Sequence, residues 1–117
     1  MAGRRLAQSA HYEIDSEYES VFLTVRQMGR RVLIGDFYGD VEKAVISPDE
    51  SYCAMVGCGV IVYDLREPFT PYAYHTPSSQ WKEFDRDGEL WYMDVTVVEG
   101  RTLSVTPENG ETKIIAV

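Results

Sequence analysis

Tyr52-Cys53-Ala54-Met55-Val56-Gly57-Cys58-Gly59-Val60-Ile61-Val62-Tyr63-Asp64-Leu65 is the stretch that decides the fold class. It is rich in β-branched and aromatic residues, and its only interruption before Asp64 is Gly57-Cys58-Gly59. A glycine-flanked residue between two apolar runs of strand length reads as a tight hairpin connection. The longest run, Gly57 to Tyr63, is strand-sized and far short of the roughly 20 residues a membrane span needs. Just upstream lies Ser47-Pro48-Asp49-Glu50, where proline presets φ for the second position of a type I turn and aspartate suits the third. Residues 41–65 therefore read as strand, turn, strand, turn, strand.

Toward the N-terminus, Val21, Leu23 and Val25 alternate with Phe22, Thr24 and Arg26. Met28-Gly29-Arg30 supplies a turn, and Arg31 to Tyr38 continues as the second arm of a hairpin, with Gly35 and Gly39 marking a bulge or a strand end. In Tyr12 to Glu19, the acids Glu13, Asp15, Glu17 and Glu19 share one parity while Tyr12, Ile14 and Tyr18 share the other. An extended backbone puts those carboxylates in one column, opposite an apolar face. Residues 1–11 show no period and read as a flexible arm.

Toward the C-terminus, Pro68, Pro71 and Pro77 exclude a central strand from residues 66–80. Ser78-Ser79 is placed to cap a short helix through Trp81, Lys82 and Phe84. After the Asp87-Gly88 turn, Glu89 to Val98, Arg101 to Thr106 and Thr112 to Val117 are separated by Glu99-Gly100 and Asn109-Gly110. These predict a three-stranded meander with Trp91, Met93, Val95 and Val97 on one face. The expectation is one all-β domain over residues 1–117. It is mainly antiparallel: a meander-rich curved sheet, sandwich or barrel with at most one short helix.

Nineteen acids against eleven lysines and arginines give a net charge of −8. A nucleic-acid or anionic-membrane binder would show a basic patch, so neither is expected. The surplus suits a basic partner and aids solubility. Met1-Ala2-Gly3-Arg4-Arg5-Leu6 leads into no apolar segment, so no secretory signal is read and a cytoplasmic location is expected. Cys53 and Cys58 are read as reduced thiols, with a disulfide between them as the alternative that geometry decides.

Chemistry-bearing patterns are sparse. His75 lies among hydroxyls in Tyr74-His75-Thr76-Pro77-Ser78-Ser79, but no nucleophile-elbow pattern accompanies it. Asp85, Asp87 and Glu89 lack the further ligand offsets of a calcium loop, and Cys53, Cys58, His11 and His75 do not form a zinc pattern. Gly57-Cys58-Gly59 opens a strand, whereas a phosphate-cradling loop opens a helix. Neither an enzyme nor a metal or cofactor is expected. Partner binding is assigned to the acidic column Glu13, Asp15, Glu17 and Glu19, together with Tyr74, His75 and Trp81 of the proline-broken segment. Trp81 is read there as an exposed anchor, and Trp91 as a core residue.

Ile46 to Leu65 is similar to one blade of a β-propeller, with a Ser-Pro-Asp turn before a strand and an aromatic-Asp pair ending the next. No second copy of the unit appears, and one blade cannot close a propeller. The same stretch, with Pro68-Phe69, Ser79-Gln80-Trp81 and Glu89-Leu90-Trp91-Tyr92 through Val117, resembles small β-rich immunity proteins of bacterial polymorphic-toxin and contact-dependent inhibition systems. The likeness covers residues 20–117 and lies in general texture: short, acidic, aromatic-rich in its loops and without an active site. It implies a protein that binds one cognate toxin domain, commonly a basic nuclease, and neutralises it in the producing cell; the free protein is expected to be a monomer. The alternatives are a small-molecule-binding barrel or enzyme with a site near His75, and an adaptor that lends an edge strand to a partner sheet.

Overall fold

Eleven strands and no helix are formed by the described residues, 3–88 and 90–117, of the computed structural model. The first sheet is a meander of β1 (Gly3–Gln8), β2 (Tyr12–Glu17), β3 (Ser20–Val25) and β4 (Arg30–Asp36). The second runs β5 (Lys43–Ile46), β6 (Tyr52–Gly57), β7 (Gly59–Asp64) and β8 (Trp81–Phe84). β9 (Tyr92–Glu99), β10 (Thr102–Pro107) and β11 (Lys113–Ala116) make the third. All pairings are antiparallel between sequence neighbours, and no sheet closes on itself. Of the expected architectures, the sandwich is the one that forms.

The sandwich has three layers, because β6 and β7 are buried on both faces at every residue but Asp64. Cys53, Met55, Ile61 and Tyr63 point into one core with Ile14, Val21, Leu23, Val32 and Ile34 of the first sheet. Their alternates Tyr52, Ala54, Val56, Val60 and Val62 point into a second core with Tyr92, Val95, Leu103 and Val105. The Ser47–Glu50 turn closes as the sequence predicts, with the Glu50 amide donating to the Ser47 carbonyl at 2.9 Å. The expected irregularity at Gly35 is a bulge: Val21 pairs Gly35 while Phe22 pairs Leu33. A Cβ on Gly35 would lie 3.3 Å from both Ile61 and Met55, so its absence lets the first two layers approach.

Four expectations are corrected. Residues 3–8 are not a loose arm but the edge strand β1, bulged at Leu6, with Arg4 donating to the Val41 carbonyl at 2.6 Å. An edge strand gains its place by main-chain pairing, and β1 needs only Leu6 and Ala7 against the core, so it carries no alternating signal. Trp81–Phe84 is strand β8, not a helix, because Ser78 Oγ accepts from the Gln80 amide at 2.9 Å and directs the chain into register with β7. Met93 is exposed and Tyr92 takes its place in the core, since a bulge opposite Thr106 and Pro107 resets the parity. Trp91 is only half-buried, and Glu89, expected to begin that strand, lies outside the described residues.

Glu50 staples the β1–β2 turn to the β5–β6 turn. Its carboxylate accepts from Ser9 Oγ, from the His11 amide at 3.0 Å and from His11 Nδ1 at 2.7 Å. These bonds, led by Ser9, hold its pKa down at about 2. A depressed folded pKa contributes stability above the unfolded value that is lost as pH falls through the folded one. Glu50→Gln is therefore expected to unfold at lower urea than wild type at neutral pH. The gap should close as pH falls from 4.5 to about 2. A gap independent of pH would show that the charge of Glu50 contributes nothing.

Candidate functional site

Loops of the first two sheets and the segment that leads on to the third meet at one end of the sandwich around an open cleft of about 420 Å³. Its lining is Glu19 from the β2–β3 turn, Asp36, Phe37 and Tyr38 from the end of β4, Cys58 from the β6–β7 hairpin, Tyr74, and the segment Arg86-Asp87-Gly88. Phe37 and Cys58 are buried and form an apolar floor. Tyr38 and Tyr74 are 80% and 57% exposed, and Tyr18, 77% exposed, stands beside Glu19 at the neighbouring turn. Exposed tyrosines offer large, stiff contact surfaces at low entropic cost, which is why they are enriched in binding sites.

The loop carrying Tyr38 is held from two sides. Glu19 receives the Phe37 amide on its main-chain oxygen at 2.9 Å and the Gly39 amide on its carboxylate. Trp91 lies against Gly39, where a Cβ would sit 2.6 Å from the indole, and donates Nε1 to Glu42 at 3.0 Å. Gly39 has φ +82°, so both its conformation and its closeness to Trp91 require glycine. Tyr18 and His75 also adopt left-handed backbone, with φ 56° and 58°. For bulky side chains that conformation is strained, and such strain concentrates at functional sites.

Among the described residues, the cleft is lined by the acids Glu19, Asp36 and Asp87 and by one cation, Arg86. That cation already has partners. Arg86 donates to the Asp36 carbonyl at 2.6 Å, lies 3.1 Å from Glu83 and stacks over Phe37 with Cζ 4.8 Å from the ring centroid.

The expected site residues divide into three groups. Glu13, Asp15 and Glu17 do form a column on the outer face of the first sheet, but cross-strand arginines face them: Arg5 is 2.6 Å from Glu13, and Arg31 is 2.7 Å from Asp15 and 3.6 Å from Glu17. The column is thus a balanced ladder of surface ion pairs, each contributing about 1 kcal/mol or less. Asp15→Asn is expected to lower stability by less than about 1 kcal/mol in urea denaturation. Arg31 keeps its seat over Phe22, 3.8 Å from the ring centroid, and a larger loss would mean that the ladder organises the sheet.

Glu19 and Tyr74 do meet in the cleft, with His75 stacked on Tyr74 at 3.9 Å between ring centroids. Trp81 is not an exposed anchor. It is 6% exposed, stacked on Tyr63 at 6.4 Å and tilted against Tyr72 at 5.1 Å. Those two tyrosines tie down the proline-broken segment, since Tyr63 donates to the Thr70 carbonyl at 2.6 Å and Tyr72 to Glu83 at 2.7 Å. Reading the sequence missed Tyr18, Tyr38, Asp36, Arg86 and Asp87 as members or neighbours of the site. The available signal was a tyrosine in each of two short turn segments, 17–20 and 37–40.

Cys53 and Cys58 are free thiols, and burial pushes that of Cys53 well above its usual pKa. Among the described residues no three His, Cys, Asp or Glu side chains gather as metal ligands. Comparison with protein-family models, with curated proteins and with solved structures gave no match to this chain.

Proposed function

We propose that this domain is a binding protein of the immunity type, which engages a basic toxin domain such as a nuclease and blocks it in the cell that makes both. The observation that carries the reading is the cleft, where exposed tyrosines flank an acidic hollow whose one cation among the described residues is already engaged. A nuclease presents cations to its nucleic-acid substrate, and an acidic aromatic surface complements that face. Long-range attraction raises the association rate, and desolvated tyrosines then slow dissociation. The molecule measures 39 × 32 × 28 Å, so the end that bears the cleft has room for a contact of about 800 Å² per partner. The column on the first sheet, balanced by its arginines, is no part of the proposed surface, which lies at the loop end.

The test is co-expression with the toxin domain encoded by the adjacent reading frame, followed by affinity measurement over a range of salt. A complex is expected, weakened by salt and weakened about tenfold by Tyr38→Ser alone. Absence of a complex, or a complex indifferent to both salt and Tyr38→Ser, would overturn the proposal.

A further inference from the structure

We infer that the cleft seats one arginine side chain of the basic partner, an inference that rests on the partner-binding reading above. At about 420 Å³ the open hollow has room for a projecting side chain beside Arg86. Its lining combines the ring faces and carboxylates that a guanidinium requires. Buried Phe37 and Cys58 and exposed Tyr38 and Tyr74 line the hollow, and Glu19 and Asp36 supply negative charge. Arg86 demonstrates the fit, because its own guanidinium already packs over Phe37 while donating to the Asp36 carbonyl.

Arg86 does not neutralise the hollow. Among the described residues its carboxylate partner is Glu83, and it meets Asp36 through the main-chain oxygen, which leaves the Asp36 carboxylate available. Glu19 uses Oε2 for the Gly39 amide and keeps Oε1. A second cation therefore finds acceptors in place without displacing the first. Arginine suits this better than lysine. A planar guanidinium stacks on tyrosine faces, is weakly hydrated and directs several donors at once, whereas an ammonium is a compact and strongly hydrated point charge.

The probe is the neutral-backbone peptide N-acetyl-Gly-Arg-Gly-amide, titrated into the full-length chain by amide-resolved NMR beside its lysine counterpart. Shifts are expected at Tyr38, Gly39, Tyr74, His75 and Gly88, with the arginine peptide binding about threefold tighter than the lysine one. Asp36→Asn and Tyr38→Ser should each abolish the preference, and both residues are exposed, so the fold is spared. No shifts, equal affinity for the two peptides, or shifts scattered over the surface would each overturn the arginine seat. If toxin binding persists with its Tyr38 dependence while the peptides show no preference, the seat fails and the proposed function stands. If the arginine peptide binds as expected but no toxin complex forms, the seat stands and the immunity reading falls.

Discussion

Trp81→Ala is expected to destabilise the fold by about 3–5 kcal/mol, the usual cost of truncating a buried tryptophan. The indole is 6% exposed in the core between the first two layers, with Tyr63 stacked on it and Tyr72 leaning against it. Removing it opens a cavity that two rigid rings cannot fill without breaking the hydrogen bonds their hydroxyls make to Thr70 and Glu83. A domain with a total stability of about 5–15 kcal/mol would lose a large part of it. Urea denaturation gives the loss directly, and limited proteolysis should show earlier cleavage within residues 66–80 as their anchors loosen. Trp81→Phe, which keeps a ring against Tyr63, should retain much of the stability. A surface anchor behaves differently, changing stability by no more than about 0.5 kcal/mol. A loss that small would put Trp81 back on the outside.

Gly59→Ala is expected to cost about 2–4 kcal/mol, from strain and overpacking together. Gly59 has φ +100°, and an added Cβ would lie 2.7 Å from the Asp85 carbonyl oxygen and 3.1 Å from that of Phe84. Both obstacles are main chain and cannot rotate away. The third, Arg86 Cδ at 2.6 Å, belongs to the side chain that forms one wall of the cleft. Gly110→Ala is the control. It has φ +97° but nothing within 4 Å of its would-be Cβ, so only the conformational cost of about 1 kcal/mol applies. Equal denaturation midpoints for the two variants would show that the approach of Asp85 to Gly59 contributes nothing.

Strands that half-bury an alternating pattern were readable from sequence. β3 places Val21, Leu23 and Val25 in the core, and β10 does the same with Leu103 and Val105. What could not be read is what depends on neighbours distant in the chain. β1 has no pattern because β2 supplies its pairing, and Trp81 has no local sign of burial because Tyr63 and Tyr72 enclose it. The acidic column was visible, but the arginines that balance it, Arg5 and Arg31, lie on other strands. Tyr18 and Tyr38 were masked by the period itself. Tyr18 continued the parity of Tyr12 and Ile14, and Tyr38 extended an apparent strand, although the chain turns at both places.

The double burial of β6 and β7 bears on how their alignment is chosen. In a sheet with one wet face, a slip by one residue carries the apolar side chains into water, and solvent enforces the register. Here a slip would exchange the set Cys53, Met55, Ile61, Tyr63 with the set Ala54, Val56, Val60, Val62, and all eight of those side chains would still be dry. Solvent therefore exerts little selection between the two alignments, and the discrimination falls to polar landmarks. Tyr52 sends its hydroxyl to the Gly100 carbonyl at 2.7 Å on one side, and Tyr63 sends its own to the Thr70 carbonyl at 2.6 Å on the other. A slipped hairpin would bury both hydroxyls facing the wrong layer, at about 1–3 kcal/mol for each unmade bond. Two phenolic oxygens thus act as the alignment marks of a hairpin whose greasy surfaces are interchangeable.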